Sequence, residues 1–452
     1  MTGLIGRDEF VKVVEPALDV PGADGVEVLF MHQWGGLTRF AGSMIHQSTA
    51  GEDTGLSVRV VRGGRIGVAS SNDFTQEGAR AAAISASEMA AVAAPDPLWP
   101  GFAPPAPIKD RPEAFDEPTA SVSPAERARG VGRLVGNCAE GFTAAGAFET
   151  TAVEMGLINT EGQGCWAPFT QASLTTVISG GDGGSGFAED FAIRAEDIDP
   201  DEVGGRASDK AVRSQRPRTV EPGIHTVVLE PSAVATLVGF LAYVGFGGRA
   251  YVEGRSCFSG KEGEVVGADA VTIYDDASDP GTIGTPFDFE GVPRRRVELI
   301  SDGVFKDVVY DLRTAKLAGD GKSSTGHALP PPNPDGPFPL NLSMSTGSST
   351  LEEMIAATDR GILVTRFHYS NIVNPIESSI TGMTRDGTFL IEHGEIAGPV
   401  VNFRMTQSII DALKATTMIG DRAVLASEFF FSASQVPALK IEEFNFSGRS
   451  DH

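Results

Sequence analysis

Glycine punctuates this chain. It occurs 54 times in 452 residues, alongside 28 prolines, roughly 12% against a typical ~7%. A chain interrupted this often cannot be built from long helices, because each Gly costs a helix interior about 1 kcal/mol and each Pro about 3. The runs between interruptions are β-branched and aromatic residues alternating with polar ones, the pattern of half-buried strands. Residues 25–71 read VEVLFMHQ, GLTRFAG, MIHQSTAG and LSVRVVRGGRIGVASS. Gly63-Gly64 between two β-branched runs predicts a hairpin, and the whole stretch an antiparallel meander.

Helical segments stand out against this background. Asp73 or Thr75 caps an alanine-rich helix from Gln76 to Ala94. Residues 95–112 hold seven prolines and form an extended connector. Ser123, Pro124 and Glu126 make a capping box that opens a second helix reaching Ala144. Residues 147–193 return to strand pattern, and a third helix over Glu202–Gln215 stops before Pro217. After Pro222-Gly223 a strand, His225–Glu230, leads into an apolar helix over 232–246. Short β-like runs follow, then a helix at Gln407–Thr416 and a last strand, ALKIEEFNF. The expected fold is α+β: an N-terminal antiparallel sheet with flanking helices over 1–218, and a strand-rich, barrel-like domain over 219–452.

Charge and motifs narrow the function by exclusion. With 36 basic and 60 acidic side chains the net charge is −24, which argues against nucleic acid as a partner. Pro231–Gly248 is 18 residues without a charge, but its glycines and the lack of basic flanks favour a buried or interface helix over a membrane span. No signal peptide is read at Met1–Lys12. Cys138, Cys165 and Cys257 are odd in number and far apart, which suits a reducing, cytoplasmic setting. The run Gly180–Gly186 lacks a P-loop ending and reads as a hairpin turn. Arg294, Arg295 and Arg296 read as a strand, with Arg294 and Arg296 on one face. Seven histidines show no HxxxH or HxH spacing. From the residues alone the reading stops at a two-domain protein of unassigned activity.

A series of motifs goes further. GTPFDFEG (Gly284–Gly291), ELISDGVFKDVVYDLRTAKLAG (Glu298–Gly319), STGHA (Ser324–Ala328, where Asn is usual in place of His327) and TGMTRDG with FLIEHGEIAGPV (Thr381–Val400) together resemble the TldD/PmbA family (peptidase U62, modulator of DNA gyrase type). The resemblance spans nearly the whole chain. It implies paired subunits that build a zinc metallopeptidase. The TldD type carries HExxxH on a helix of the C-terminal domain and a late cysteine, whereas the TldE/PmbA type lacks these ligands and completes the substrate cavity.

This chain departs from the catalytic type. The equivalent stretch, Ser232–Gly247, contains no His, Glu, Asp or Cys, and no cysteine follows Cys257. It therefore resembles the TldE/PmbA-type subunit, for which no catalytic or metal-binding residue and no cofactor is expected. The zinc would lie in a TldD-like partner, and the substrate would be a small, unfolded or modified peptide or an amide-containing natural product. Gly248–Lys261 and Gly284–Arg296 are the expected groove segments, with Tyr251, Phe287 and Arg294 as candidate contacts and 249–265 as a mobile loop. The alternatives are a non-catalytic homodimeric binding or regulatory protein, and an enzyme with ligands recruited from His327, His368 and Cys257.

Overall fold

The alternation over residues 25–71 builds one half of a six-stranded sheet in the computed structural model, which describes residues 3–319, 321–427 and 433–450. Its strands are β1 (Gly25–Ala41), β2 (Met44–Arg62), β3 (Arg65–Ser71), β4 (Phe142–Asn159), β5 (Gly164–Gly180) and β6 (Gly184–Ala192). They lie in the order β3-β2-β1-β4-β5-β6, each antiparallel to its neighbours. Gly63 and Gly64 turn β2 into β3 with φ of 55° and 72°, a pair of left-handed residues that matches the twist of the strands. The Gly180–Gly186 run is the β5–β6 hairpin.

Helices cover one face of this sheet. Arg7–Val14 and Gln76–Val92 pack on β1–β3, burying Phe10, Val28, Phe30 and Val58. Pro124–Gly136 and Pro200–Arg213 pack on β4–β6 around Phe148, Leu174 and Val203. The caps are those the sequence announces: Thr75 accepts from Gly78 N, and Ser123 with Glu126 forms a reciprocal capping box. The second helix ends at Gly136, short of the expected Ala144, because Gly141 turns the chain at φ 80° and Phe142 pairs with Gly180 to start β4.

The alanines of Gln76–Val92 let the helix sit close. A Cβ on Gly67 of β3 would lie 2.0 Å from Ala86 O and 2.5 Å from Ala90 N. Backbone atoms cannot swing aside, so Gly67→Ala must part helix from strand. A loss of about 1–3 kcal/mol is expected, read as a lowered midpoint in urea unfolding.

The second half closes on itself. Gly223–Leu229 pairs in parallel with Arg360–Asn374 and antiparallel with Ala433–Arg449; Ser379–Glu392 and Phe403–Ser408 complete the ring, giving a five-stranded closed barrel. From Ala433–Arg449 the sheet continues through Leu342–Met344, Ile273–Asp275 and Val297–Ser301. The apolar stretch forms an α-helix over Pro231–Leu241 and a π-helical turn over Ala242–Phe246. It is apolar on all sides because it is buried on nearly all sides, in the core shared with Val227, Leu229 and Ile441. Gly245 admits the Phe258 ring, which a Cβ would meet at 2.7 Å. Among the described residues no helix is long and apolar enough to cross a membrane.

Candidate functional site

Period two carries β1 into contact with the second half. Val28 and Phe30 face the helices, so Leu29 and Met31 face away from them. There Leu29, Met155, Leu157 and Cys165 meet Phe287. The GTPFDFEG motif is the element that docks. Asp288 Oδ1 accepts the amides of Glu290 and Val292 at 2.9 Å each, and Oδ2 accepts that of Ala328 at 2.8 Å. Gly291, at φ 75°, presents its carbonyl to Gln163 Nε2 of the first sheet at 2.6 Å. A Cβ there would lie 2.8 Å from Leu157 Cδ2.

This docking leaves a cavity of about 270 Å³ between the sheet and residues 283–294. Met31, Val153, Met155 and Phe169 form its sheet side; Phe289, Leu329 and Leu340 face them. Its polar groups include Thr285, Arg294 and Asn341. The triple arginine is not a strand, for the next strand begins at Val297. Arg294 N bonds Pro286 O at 2.9 Å and Arg295 N bonds Thr325 O at 3.2 Å, which wraps the segment around the Asp288 turn instead. The three side chains therefore diverge. Arg294 lines the cavity, Arg295 is exposed beside Ser323, and Arg296 lies over the Tyr274 ring at 3.6 Å.

Of the three expected groove residues, Arg294 lies on this cavity. Phe287 is corrected: it is fully buried in the interface core, and Phe289, two residues on, takes the cavity side. Tyr251, on the short helix Gly248–Val252, packs its ring 5.9 Å from Phe305. It lines neither this cavity nor a second one of about 520 Å³, whose wall includes Tyr243, Ala250, Arg255, Phe338 and Ile376.

Two buried charge clusters draw on the STGHA and GTPFDFEG motifs, but their partners Asp275, Glu27 and Arg59 lie outside those motifs. In the first, His327 Nε2 lies 2.8 Å from Asp275 Oδ1 and Nδ1 lies 2.9 Å from Thr325 Oγ1, with the pair wholly buried. Asp275 Oδ2 accepts Asn341 N at 2.7 Å, and Asn341 Nδ2 holds Ile283 O at 2.7 Å, so the pair supports the cavity wall. Burial works against the Asp275 charge, but His327, with Arg294 and the Asn341 amide, outweighs it and holds the carboxyl below its usual pKa. In the second, Arg59 sits between Glu27 at 2.5 Å and Glu290 at 3.5 Å, under the rings of Trp99 and Phe102. Burial pushes Glu27 up to about 7 and Glu290 up to about 8.

Among the described residues, no cluster fits a metal. The helix Pro231–Leu241 carries no His, Cys, Asp or Glu side chain. His327 has both ring nitrogens engaged. Burial pushes the Cys257 thiol up to about 12, far from a ready thiolate. No group of three or more His, Cys, Asp or Glu among the described residues could hold a metal ion, which removes the arrangement of His327, His368 and Cys257. His452 and residues 428–432 lie outside the described residues.

The profile described as PmbA/TldA metallopeptidase C-terminal domain matches residues 222–448, half of the chain and the whole barrel, and that described as domain 1 matches 26–90. The chain belongs to the PmbA/TldD family. It is 24% identical over 451 residues to the metalloprotease PmbA of Escherichia coli O157:H7, covering 95% of each chain. It is 29% identical over 205 residues to the metalloprotease TldD homolog of Haemophilus influenzae, spanning 43% of this chain and 42% of that one. The TldD homolog of Buchnera aphidicola from Acyrthosiphon pisum is likewise matched over only 35% of its length. The fold is that of TldE from Thermococcus kodakarensis, with a TM-score of 0.84, 22% identity, and coverage of 94% and 97%.

Proposed function

We propose that this PmbA/TldD-family chain is the metal-free subunit of a two-chain, cytoplasmic metallopeptidase. The observation that carries this reading is the apolar, buried helix Pro231–Leu241, the stretch that the family resemblance sets against the HExxxH helix of the catalytic type. In this reading a TldD-like partner with HExxxH holds the zinc and activates water. This chain walls the substrate cavity and, alone, does not cleave. The wall it contributes includes Gly248–Lys261, beside the cavity bordered by Tyr243, Arg255 and Ile376. Tyr243 and Ile376 are half exposed there, at 53% and 49%, and the neighbouring Val373 at 56%. Apolar surface clustered at a cavity mouth suits a partner or a peptide. An extended peptide would add along a sheet edge, a mode that reads backbone more than sequence and suits small, unfolded or modified substrates.

The test is co-expression with an HExxxH-bearing family member, followed by elemental analysis and peptide cleavage. One zinc per heterodimer and cleavage by the pair only are expected. Stoichiometric zinc and cleavage by the lone chain would sink the reading. Self-association with no affinity for the partner would shift it to a homodimeric binding or regulatory protein.

A further inference from the structure

The cavity between the first sheet and residues 283–294 has an unusual polar end. Thr285 Oγ1 donates to Phe287 O at 2.7 Å, and Asn341 Nδ2 to Ile283 O, so both side chains are engaged in holding the wall. Arg294 is different. Its Nε donates to Phe287 O at 3.3 Å, and its Nη1 is buried and finds no protein acceptor. Two carboxylates, Asp275 and Asp288, are near enough to act on its charge, yet neither pairs with it. The reason is visible in their bonding. Asp275 is taken by His327 and Asn341 N, and Asp288 by three backbone amides. The guanidinium thus has its charge balanced from a distance while donor capacity remains unmet.

A desolvated donor without an acceptor is costly, and an oxygen acceptor delivered by a ligand would recover that cost. Carboxylates suit a guanidinium best, because the planar fork matches two oxygens. The remainder of the wall, with Met31, Val153, Met155, Phe169 and Leu340, asks for an apolar body. At about 270 Å³ the space takes a head group with one short chain or ring, just under the usual range of about 300–1,000 Å³ for ligand pockets.

We propose that this inter-sheet cavity binds a small carboxylic acid with an apolar tail, its carboxylate on Arg294 and its tail against Met155 and Leu340. Such a group could belong to a short fatty acid or to the carboxyl end of an apolar acyl-amino acid or peptide. The inference rests on the cavity and not on the peptidase reading.

Isothermal titration of the full chain with octanoate, N-acetylphenylalanine, octanol and octylamine tests it. At least one of the two acids should bind with one site, and the neutral and cationic octyl probes should bind at least tenfold more weakly. Binding of octanoate alone would assign the fatty-acid source; binding of N-acetylphenylalanine alone, the acyl-amino-acid source. Arg294→Gln should weaken the acid by roughly ten- to a hundredfold, and Leu340→Trp, which fills the cavity, should abolish binding. Circular dichroism of each variant reports its fold. The proposal is overturned if neither acid binds at millimolar concentration, if octylamine binds as well as octanoate, or if folded Arg294→Gln keeps full affinity. The probe comparison on the unmodified chain stands whether or not either variant folds.

Discussion

His327→Ala is expected to destabilise the fold by roughly 3–5 kcal/mol, the usual result of leaving a buried carboxylate without its partner. The carboxylate left behind, Asp275, is wholly buried and would keep only the amide of Asn341 as a direct donor. Asp275 draws stability from a folded-state pKa held below its usual value. That share is present above the unfolded value and is lost as pH falls through the lower folded one. In the alanine variant the pairing is gone, so burial dominates and the deficit should shrink toward acid pH as Asp275 protonates. His327→Asn keeps a donor at this place, and Asn is the residue the resemblance to the family leads one to expect there. A cost of about 1–2 kcal/mol fits the exchange of one hydrogen-bond donor to the carboxylate for a less well-placed one. Urea unfolding of the two variants at pH 7 separates them; a His327→Ala deficit below about 0.5 kcal/mol would show that the pair is not what holds this wall.

How much of this was legible beforehand follows from the range of the forces involved. The Gly63-Gly64 turn, the Ser123 capping box and the alanine-rich helix rest on bonds between residues a few positions apart, and local sequence spells them out. The barrel does not, since it closes only when Gly223–Leu229 meets both Arg360–Asn374 and Ala433–Arg449. The arginine triplet looks like a strand locally, but Arg294 N bonds back to Pro286 across the Asp288 turn and Arg295 N bonds to the remote Thr325, which no local window contains. Phe287 and Phe289 look alike in sequence, and the depth of the Asp288 turn decides which is core and which faces the cavity. The charge clusters were hidden by the very alternation that revealed the strands. Glu27 and Arg59 occupy the polar slots of VEVLF and SVRVV, where a solvent-facing side chain is the normal reading. They are register partners across β1 and β2, but that face is covered by the GTPFDFEG turn and by Trp99 and Phe102 of the connector.

That covered face is expected to make the stability of the chain fall as pH rises from about 4.5 to 8. Glu27 at about 7 and Glu290 at about 8 both stand above the ordinary glutamate value of 4.5, because burial penalises two carboxylates that share one guanidinium. The folded chain therefore binds more protons than the unfolded one from about pH 4.5 to 8, and stability declines through that window. At about 1.4 kcal/mol for each tenfold change in proton affinity, Glu27 alone accounts for a decline on the order of 3 kcal/mol. Glu27→Gln imitates the protonated acid at all pH values. The variant should match the parent near pH 5 and exceed it by on the order of 3 kcal/mol near pH 8. Arg59→Met should do the reverse. It removes the shared cation, so it should cost about 3–5 kcal/mol near pH 8 and less near pH 5, where both acids are protonated. Urea unfolding of parent and variants at half-unit steps from pH 5 to 8 reads all three curves. Parallel curves for parent and Glu27→Gln would mean that the carboxylate is ionised throughout, and that Arg59 compensates it in full. Diverging curves would establish that the contact between the first sheet and the GTPFDFEG turn is held by one cation serving two acids, with its strength set by how many protons they carry.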